Sequence, residues 1–538
     1  MPYSPRAERS VCSRLTPSHV AACERPRRII LQEDANMPME ALGIDFDEWI
    51  AFRFQHCDAP GSQIDGIWWD IGFAEDTYAV YESKLLPRLT HAGLQRWWSQ
   101  GIDWVERLVS ESHARGLEAF WNNRVCPVDF APTGPAPIPH DDPRRRNPLK
   151  QQHPDWTVPC WWPQGLWNLA NPEVQERKVA ILRELLERYA LDGIQLDFAR
   201  HTPCLPAGRE WELRGQVTAF VSKVRDMMLD IEAATGQPRL LSVRVGETIE
   251  GNHRDGFEVE NWIAAELVDI LNLGGRTTTV DVAAFEELTR QTPVRLCAPF
   301  DGHHTTDGYY FPEAAYLRGV FTNFLHQGVD FVSLFNWACA SGEWYDRLGL
   351  PPMMKCPQHV QATREVGSLG AMADGSRTYA VERKGGYPWA QNYLYRNDDR
   401  PLPAALPAGG SHLELPLYIY EDATARMADW DVDLRLVVRA NSVLPPLEVR
   451  LNGHCLPELR RDSNWHDGQI YGDHPQPSSG SHTSYDHAFP DVKLTMVEFA
   501  ASASQFVRGQ NCLAIARSDH SAGDLMLEKV EGRFAPAG

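Results

Sequence analysis

The sequence lacks several features that would place it in a common class at once. No run of apolar residues approaches the roughly 20 needed to span a bilayer, so no transmembrane helix is predicted. The segment from Met1 to Arg28 has no continuous apolar stretch of the kind found in secretory signals, which favours a cytoplasmic location. The eleven cysteines are scattered and include no Cys-x-x-Cys pair, so reduced core thiols fit better than a disulfide framework or a zinc ribbon.

Signals for cofactors and nucleic acids are also missing. The formal net charge of −20 leaves no basic footprint of the kind that a nucleic-acid partner requires. The chain contains no phosphate loop, no dinucleotide fingerprint and no nucleophile elbow. We therefore predict no cofactor, no nucleic-acid partner and no membrane partner, and leave the oligomeric state open.

Tryptophan, by contrast, is abundant, with 18 residues in a chain of 538. Core packing is expected to use about half of these large side chains. The remainder are expected to line a cleft, because flat indole faces stack on the C–H faces of sugar rings. A chain of this length should hold two or three domains, since single hydrophobic cores stop growing near about 250–300 residues.

Eight short apolar strands, most of them separated by a helical pattern, are predicted in the first two thirds of the chain. They cover residues 28–31, 64–71, 118–121, 193–198, 240–244, 269–273, 294–298 and 331–334. Further helices are predicted over 103–114, 214–233, 281–290 and 312–327. The clearest helix begins at Asn171-Pro172, an N-cap followed by proline at the first helical position. Apolar strands alternating with helices predict an α/β fold, a (β/α)8 TIM barrel.

The pattern changes after about residue 375. Short alternating segments at 413–420, 433–439, 447–451, 492–499 and 511–517 predict an antiparallel, jelly-roll-like β-sandwich. We therefore expect an N-terminal extension (1–24), a catalytic barrel (25–370) and an accessory sandwich (375–538), whose role, structural or carbohydrate-binding, stays open. A long insertion, 125–166, precedes Trp167 and carries Trp156, Trp161 and Trp162, which favours an ordered lid or subsite wall.

The fourth predicted strand ends at Asp197, and an Asn-Pro helix start precedes it. Tyr189 to Arg200 reads Tyr-x-x-Asp-Gly-Ile-x-x-Asp-x-x-Arg. This combination resembles bacterial glycosyl-hydrolase-like (β/α)8 barrel families, and segments 27–30 and 116–121 are similar to the first and third strands of that group. The similarity covers about residues 25–345. It implies a glycoside hydrolase acting on a poly- or oligosaccharide, without naming the sugar.

Glycoside cleavage ordinarily uses two carboxyl groups, a proton donor and a nucleophile or base. We expect Asp197 as nucleophile or base, its alternative being a structural salt bridge to Arg200. Glu247, just beyond the fifth strand, is the first candidate for the acid, at the roughly 5–5.5 Å of a retaining pair, unless it is a solvated loop carboxylate. Asp301, after the seventh strand, is the competitor and suits the wider separation of an inverting pair.

Other polar and aromatic residues near strand ends and in the insertion are expected to bind the substrate. They are Asp70, Asn123, Arg124, Trp162, Arg200, His201, Arg244, Asn272, His303, His304, Asn336 and Trp337. The three arginines either bind an anionic sugar substituent or, as we prefer, orient the catalytic acids. His303 and His304 beside Asp301 are weak evidence for a metal, and none is predicted.

Three alternatives limit this hypothesis. A chitinase-type mechanism needs Asp-x-x-Asp-x-Asp-x-Glu, but the final position is Ala199, so the proton donor is absent. A non-catalytic glycan-binding barrel would keep the cleft and lack the acid. A sugar lyase or isomerase on the same barrel would use His201 or His303 as its base.

Overall fold

The computed structural model describes residues 14–34, 44–70, 76–128, 146–274, 277–301, 309, 312–335, 337, 357–383, 400–408, 411–440, 443–467, 493–518 and 525–537. The chain divides into two compact units. The first comprises residues 1–275, 280–299 and 329–338, and the second comprises 276–279, 300–328 and 339–538.

A closed parallel barrel accounts for most strands in the first 335 residues. The described strands there are β1 (Ile29–Asp34), β2 (Ile64–Asp70), β3 (Glu118–Arg124), β4 (Thr157–Val158), β5 (Leu166–Trp167), β6 (Gly193–Asp197), β7 (Leu240–Val245), β8 (Ile270–Leu273), β9 (Arg295–Asp301) and β10 (Phe331–Phe335). Strands β4 and β5 form a separate hairpin. The other eight follow one another around the barrel in chain order, and β10 pairs with β1 to close it. The predicted TIM barrel is confirmed.

Helices alternate with these strands. Those described up to residue 327 are α1 (Pro17–Cys23), α2 (Phe46–Phe54), α3 (Ala92–Ser99), α4 (Trp104–Ala114), α5 (Pro148–Gln152), α6 (Pro172–Arg188), α7 (Glu210–Thr235), α8 (Ile249–Arg254), α9 (Val259–Ala264), α10 (Val282–Thr289) and α11 (Ala314–Gln327). As predicted, Asn171 caps α6, its side chain accepting from the Glu173 amide at 2.9 Å. None of the helices described combines the length and apolarity needed to cross a membrane.

Gly193, in the Asp-Gly-Ile part of the motif, allows β6 to pack closely against its surroundings. A Cβ at this position would collide with the carbonyl oxygen of Leu240 and with the Phe120 ring. Glycine is therefore required here by close approach of backbone and ring. It allows β6 to pair with both β3 and β7, which fixes the level at which Asp197 ends the strand.

The second unit contains two antiparallel sheets. Its strands are β11 (Arg377–Ala380), β12 (Ala404–Ala405), β13 (Leu413–Ile419), β14 (Asp431–Ala440), β15 (Leu447–Leu451), β16 (His454–Cys455), β17 (Glu458–Trp465), β18 (Leu494–Ala501), β19 (Gly509–Arg517) and β20 (Leu525–Ala535). One sheet has the order β11-β20-β14-β18-β17, with β12 also paired to β20, and the other has the order β13-β19-β15-β16. Helices α12 (Pro357–Glu365) and α13 (Ala423–Arg426) complete the elements described, besides short 3-10 turns.

Apolar side chains from both sheets share one core, which confirms the predicted sandwich. The turn after β15 contacts β19: Asn452 Nδ2 donates to Asn511 Oδ1 at 2.8 Å. Asn452 and Gly453 both have positive φ, as a tight hairpin turn requires. Helix α11 packs on β11, where Gly319 lies against the Thr378 backbone too closely for any Cβ.

Candidate active site

Four polar residues lie at one level across adjacent barrel strands. The strand register pairs Arg124 with Asp197, Asp197 with Arg244, and Arg244 with Asn272. Asp197 and Asn272 are fully buried, as is Arg244, and Arg124 is 3% exposed. Because the carboxyl ends of barrel strands form the face that carries active sites, this layer is the candidate site.

Asp197 forms a bidentate ion pair with Arg244. Arg244 Nε donates to Asp197 Oδ1 at 2.8 Å, and a second guanidinium nitrogen donates to Oδ2 at 2.5 Å. The guanidinium that this pair brings to Asp197 comes from β7, whereas the sequence alternative named Arg200. Arg200 contributes its backbone N–H to Asp197 Oδ1 at 2.9 Å, and its guanidinium lies 5.7 Å from the Phe335 ring centroid.

A second buried ion pair lies on the neighbouring strands. Arg124 Nε donates to Asp70 Oδ2 at 3.0 Å, and Asn122 Nδ2 donates to the same oxygen at 2.6 Å. Asp70 is fully buried at the end of β2. Both pairs hold a carboxylate by a guanidinium on the following barrel strand, so their geometry is fixed by strand register.

Gln195 lies two residues before Asp197 on β6 and organises a hydrogen-bonded amide layer. Its Nε2 donates to Asn122 Oδ1 at 2.6 Å and to Gln32 Oε1 at 3.1 Å. Its Oε1 accepts from Asn272 Nδ2 at 2.9 Å and from Ser242 Oγ at 3.3 Å. Both donors and both acceptor positions of this buried amide are thus used, which immobilises the strands carrying the ion pairs.

Gln195 and Ser242 were not among the predicted site residues. A signal for them existed in the sequence, because each lies two residues before a predicted site residue, Asp197 and Arg244, on the same strand. Residues at i and i+2 of a strand face the same side. Polar residues repeated at this spacing in otherwise apolar barrel strands therefore indicate a polar interior layer.

The two candidates for the acid lie beyond or at strand ends. Glu247 follows the last residue of β7 by two positions and is 5% exposed, so it is not a solvated loop carboxylate. Arg244, three residues earlier in the chain, is the ion-pair partner of Asp197. Asp301 is the last residue of β9 and is 2% exposed. Strand order places β7 next to β6 and β9 two strands farther round the barrel.

His201 follows the same strand and is buried. Burial, and then the positive charges of Arg124, Arg244 and Lys150, hold the pKa of His201 well below its usual value. The imidazole is therefore neutral near pH 7, where it can donate one hydrogen bond and accept another. Its ring centroid lies 5.9 Å from that of Trp161.

The described end of the insertion, residues 146–166, is ordered around its tryptophans. Trp156 and Trp162 are buried, as is Trp167 just after the insertion, so these three pack inside the structure. Trp161 is half-buried, and its Nε1 donates to the Thr202 carbonyl at 2.7 Å. Trp161 is thus the tryptophan of this group best placed to meet a ligand.

Three predicted substrate-binding residues, His303, His304 and Asn336, lie outside the described residues. Asn123 and Trp337 are described, and both are buried. The backbone of Trp337 forms a hydrogen bond with His56, which opposes a larger effect of burial that lowers the pKa of His56 to about 4.

A separate charged cluster lies at the amino ends of the strands. His19 Nδ1 lies 2.6 Å from a Glu232 carboxylate oxygen and its Nε2 lies 3.0 Å from Asp269, with Cys23 alongside. Arg225 contacts the same Asp269 oxygen at 2.7 Å. Within the described residues these are the three groups, His19, Cys23 and Asp269, spaced to hold a metal ion, but a guanidinium already supplies the positive charge. The cluster is therefore an ion network at the barrel's structural end.

The model of the family described as Glycosyl hydrolase-like 10 matches residues 62–210. This segment runs from before β2 to the start of α7 and includes Asp70, Arg124 and Asp197. No curated protein matches the chain in sequence.

Several solved glycosidase structures are similar to the chain. Alpha-L-fucosidase isoenzyme 2 from Paenibacillus thiaminolyticus is 14% identical with a TM-score of 0.42, over 66% of this chain and 51% of that chain. The PgaB (BpsB) glycoside hydrolase domain from Bordetella bronchiseptica is 11% identical with a TM-score of 0.40, over 64% and 99%. A GH36 alpha-galactosidase, AgaA, from Geobacillus stearothermophilus in complex with raffinose is 13% identical with a TM-score of 0.34, over 96% and 56%.

The chain spans about half the length of the fucosidase and alpha-galactosidase chains. With TM-scores below 0.5, these likenesses carry no weight for fold or activity, which rest on strand order and site geometry. The family match, in contrast, covers the motif at β6. Over residues 62–210 the chain matches a glycosyl hydrolase-like family, and the resemblance expected from that motif is confirmed.

Proposed function

We propose that this protein is a glycoside hydrolase that cleaves an oligo- or polysaccharide at the carboxyl ends of its barrel strands. Asp197 acts as nucleophile or base, and Glu247 or Asp301 acts as the general acid. The barrel is the catalytic domain and the sandwich an accessory domain. The observation that carries the proposal is the buried Asp197–Arg244 pair, in register with Arg124, within the segment that matches a glycosyl hydrolase-like family.

The ion pairing of the arginines supports an orienting role for them. Arg124 and Arg244 each hold a carboxylate, Asp70 and Asp197, so both guanidinium groups fix acids in place. Binding of an anionic sugar substituent by these two residues would first need these pairs to open.

The neutral state of His201 disfavours the lyase and isomerase alternative for that residue. A general base works best when its pKa lies near the working pH. Burial and three nearby cations depress the pKa of His201 far below that range, so its conjugate acid forms with difficulty. A role in hydrogen bonding to sugar hydroxyls fits this chemistry better.

The second candidate function, a non-catalytic glycan-binding barrel, is favoured by one observation. Asp197 is fully buried, and both of its oxygens are engaged by Arg244. A carboxylate held in this way can serve to position strand ends. Activity measurements on variants separate the two functions.

The test assays wild type, Asp197→Asn, Glu247→Gln and Asp301→Asn on a panel of defined glycans, scoring release of reducing ends. Asp230→Asn is the matched control, since its carboxylate is 72% exposed on α7. We expect Asp197→Asn and one acid variant to lose at least about 100-fold in turnover, the usual contribution of acid–base groups. If wild type cleaves nothing but a glycan raises its melting temperature, the binding-protein function holds instead.

A further inference from the structure

A cavity of about 300 Å³ opens on the second unit. It lies over the sheet β11-β20-β14-β18-β17 and is bordered on one side by α11 through Tyr316. Other lining residues are Arg435, Trp465, Lys529, Glu531 and Arg533. A volume at the low end of the range for ligand pockets suits a short saccharide better than a long chain.

The two faces of this sheet differ sharply in character. Leu434 and Leu436 point into the sandwich core, whereas the alternate residues Asp433 and Arg435 belong to the opposite face. There, Arg435 donates to Glu498 at 2.7 Å, and Arg533 contacts the same Glu498 oxygen at 3.1 Å. The outer face of the sheet is thus a lattice of paired charges.

Several of these charges are removed from solvent. Lys529 is 7% exposed and lies 3.0 Å from Asp467 and 2.9 Å from Glu531, which is also 7% exposed. Burying charges costs free energy that apolar residues of similar size would not cost. Their retention beside a cavity therefore points to use by a ligand.

Aromatic side chains complete the walls. Tyr309 and Tyr316 stack with their ring centroids 4.3 Å apart. Trp465 packs against the small apolar cluster of Val437, Leu494 and Met496, and its face carries the Arg435 guanidinium at 5.1 Å. The Trp465 Nε1 is buried and has no hydrogen-bond partner among the described residues, which leaves one donor for a ligand.

The charges that line the cavity balance. Among the described lining residues, Glu313, Asp467 and Glu531 are equal in number to Arg435, Lys529 and Arg533. A neutral ligand leaves this balance of charges unchanged, whereas an anionic or cationic ligand adds a charge that the cavity does not match. Carboxylates accept hydrogen bonds from hydroxyl groups, and cations and the indole N–H donate them.

We propose that this cavity is a second carbohydrate site, which binds a short neutral saccharide independently of the barrel. The choice of a saccharide rests on the proposed function, whereas the neutral charge and small size follow from the cavity itself. Trp465 supplies the indole donor, and the paired charges supply the remaining hydrogen bonds.

The test is isothermal titration of the full chain with neutral gluco-, galacto-, xylo- and N-acetylglucosamine oligosaccharides and with an acidic oligogalacturonate. Trp465→Ala removes the indole ring together with its donor, and Trp465→Phe keeps an apolar ring without the donor. Trp430→Phe is the control, since Trp430 packs against the sandwich core and does not line the cavity. Asp197→Asn reports binding that depends on the barrel, and circular dichroism checks that every variant folds.

We expect at least one neutral oligosaccharide to bind wild type, Trp430→Phe and Asp197→Asn alike. Trp465→Ala should weaken that binding by about tenfold or more, and Trp465→Phe by a smaller factor. Failure of every probe to bind wild type, equal binding by a folded Trp465 variant, or preference for oligogalacturonate would overturn the proposal. If Trp465→Ala does not fold, Trp465→Phe decides. If the protein hydrolyses a glycan but shows no Trp465-dependent binding, only the second site is contradicted. If binding depends on Trp465 but no glycan is hydrolysed, only the proposed function is contradicted.

Discussion

At the carboxyl end of β6, Asp197 places a formal negative charge where solvent does not reach. The charge is tolerated because Arg244 meets both carboxylate oxygens from the neighbouring strand. Such a pair adds little net stability, since both ions lose their hydration, but loss of one member leaves the other uncompensated. The pair therefore holds two residues at the carboxyl ends of the strands in one geometry, and loss of either residue is expected to be strongly destabilising.

This pairing predicts a large effect from a single substitution. Arg244→Met should lower the free energy of unfolding by about 3–5 kcal/mol, because it strands the Asp197 charge in the interior. Urea unfolding at pH 7 measures the change. Arg290→Met is the matched control: Arg290 is 55% exposed and pairs with Glu286 along α10, so its removal should cost below about 1 kcal/mol.

A similar loss of unfolding free energy for both arginine variants would show that breaking the Asp197–Arg244 pair destabilises the protein no more than breaking a surface ion pair. The barrel site would then lack the preorganisation argued for it. A double variant, Asp197→Leu with Arg244→Met, should recover much of the stability, because an apolar pair of similar volume leaves no buried charge.

The ion network at the opposite end of the barrel predicts a pH dependence. The pKa of His19 is raised, because Asp269 and Glu232 together outweigh the lowering effect of burial. A raised folded-state pKa contributes stability that is full below the unfolded pKa of about 6.5 and is lost as pH rises through the folded value. The stabilisation by His19 should therefore fade on the alkaline side.

His19→Gln measures this contribution by difference. The gap in free energy of unfolding between wild type and His19→Gln should be widest below pH 6 and should narrow as pH rises above about 6.5. Urea unfolding from pH 5.5 to 9 follows the gap. The contribution of Asp269 to stability depends on pH in the opposite direction. Burial raises the pKa of Asp269, but Arg225 and His19 outweigh it and lower the pKa, so this contribution is lost as pH falls below about 4. A gap that does not change with pH would contradict a charged His19.

The identity of Asp197's partner shows the limit of prediction for single residues. The sequence places Arg200 three residues away, and the structure gives the ion pair to Arg244, which lies 47 residues away on β7. Contacts across a parallel sheet depend on strand register, which one sequence without its pairing does not state. The polar character of the layer was predictable, but its connections were not.

At the scale of elements, the eight barrel strands could be predicted because parallel strands buried on both faces are short apolar runs. The polar edge strand β17 could not, since its residues are mostly exposed and carry no alternation. Strand β20 was missed for another reason. Its pairing with β14 contains a register shift at Val437/Val438, and such irregularities break the period-two pattern.

The motif glycine of β6 gives a prediction at this scale. Gly193→Ala should destabilise the protein by about 1–3 kcal/mol, because the added methyl meets the Leu240 carbonyl and the Phe120 ring. Gly215→Ala is the control, since a Cβ there meets nothing within 4 Å on helix α7. The control should gain about 0.5–1 kcal/mol from helix propensity, as thermal unfolding can show.

Opposite signs for the two glycine variants would support the close approach of β3, β6 and β7 at Gly193. Equal and small effects would mean that β6 has room to shift. Asp197 would then be held less firmly than its register with Arg124 and Arg244 implies.

For the whole molecule, the barrel and the sandwich were both predictable from patterning, and both are confirmed. The roles of the site residues were predictable only as candidates, because function depends on groups that separate strands bring together. The two carboxylates that are ion-paired with arginines, Asp70 and Asp197, lie in the part of the chain that matches a glycosyl hydrolase-like family. The outer sheet face of the sandwich, in contrast, could be predicted only to be polar, since alternation along single strands does not show which charges pair across strands.

The stereochemistry of the product distinguishes the two candidate acids. A pair with Glu247, which follows the strand next to that of Asp197, at about 5–5.5 Å predicts retention of anomeric configuration. A pair with Asp301 at about 6.5–9.5 Å predicts inversion. Proton NMR of the first product formed from a cleaved glycan gives the answer, and loss of activity in Glu247→Gln but not Asp301→Asn should accompany retention.

The catalytic role of Asp197 is tested most directly by the turnover of folded Asp197→Asn on the glycan that wild type cleaves best, measured beside Asp230→Asn. We expect a fall of at least about 100-fold for Asp197→Asn and wild-type turnover for Asp230→Asn. Wild-type turnover by folded Asp197→Asn would contradict it, and would leave Asp197 as a residue that only positions the strand ends.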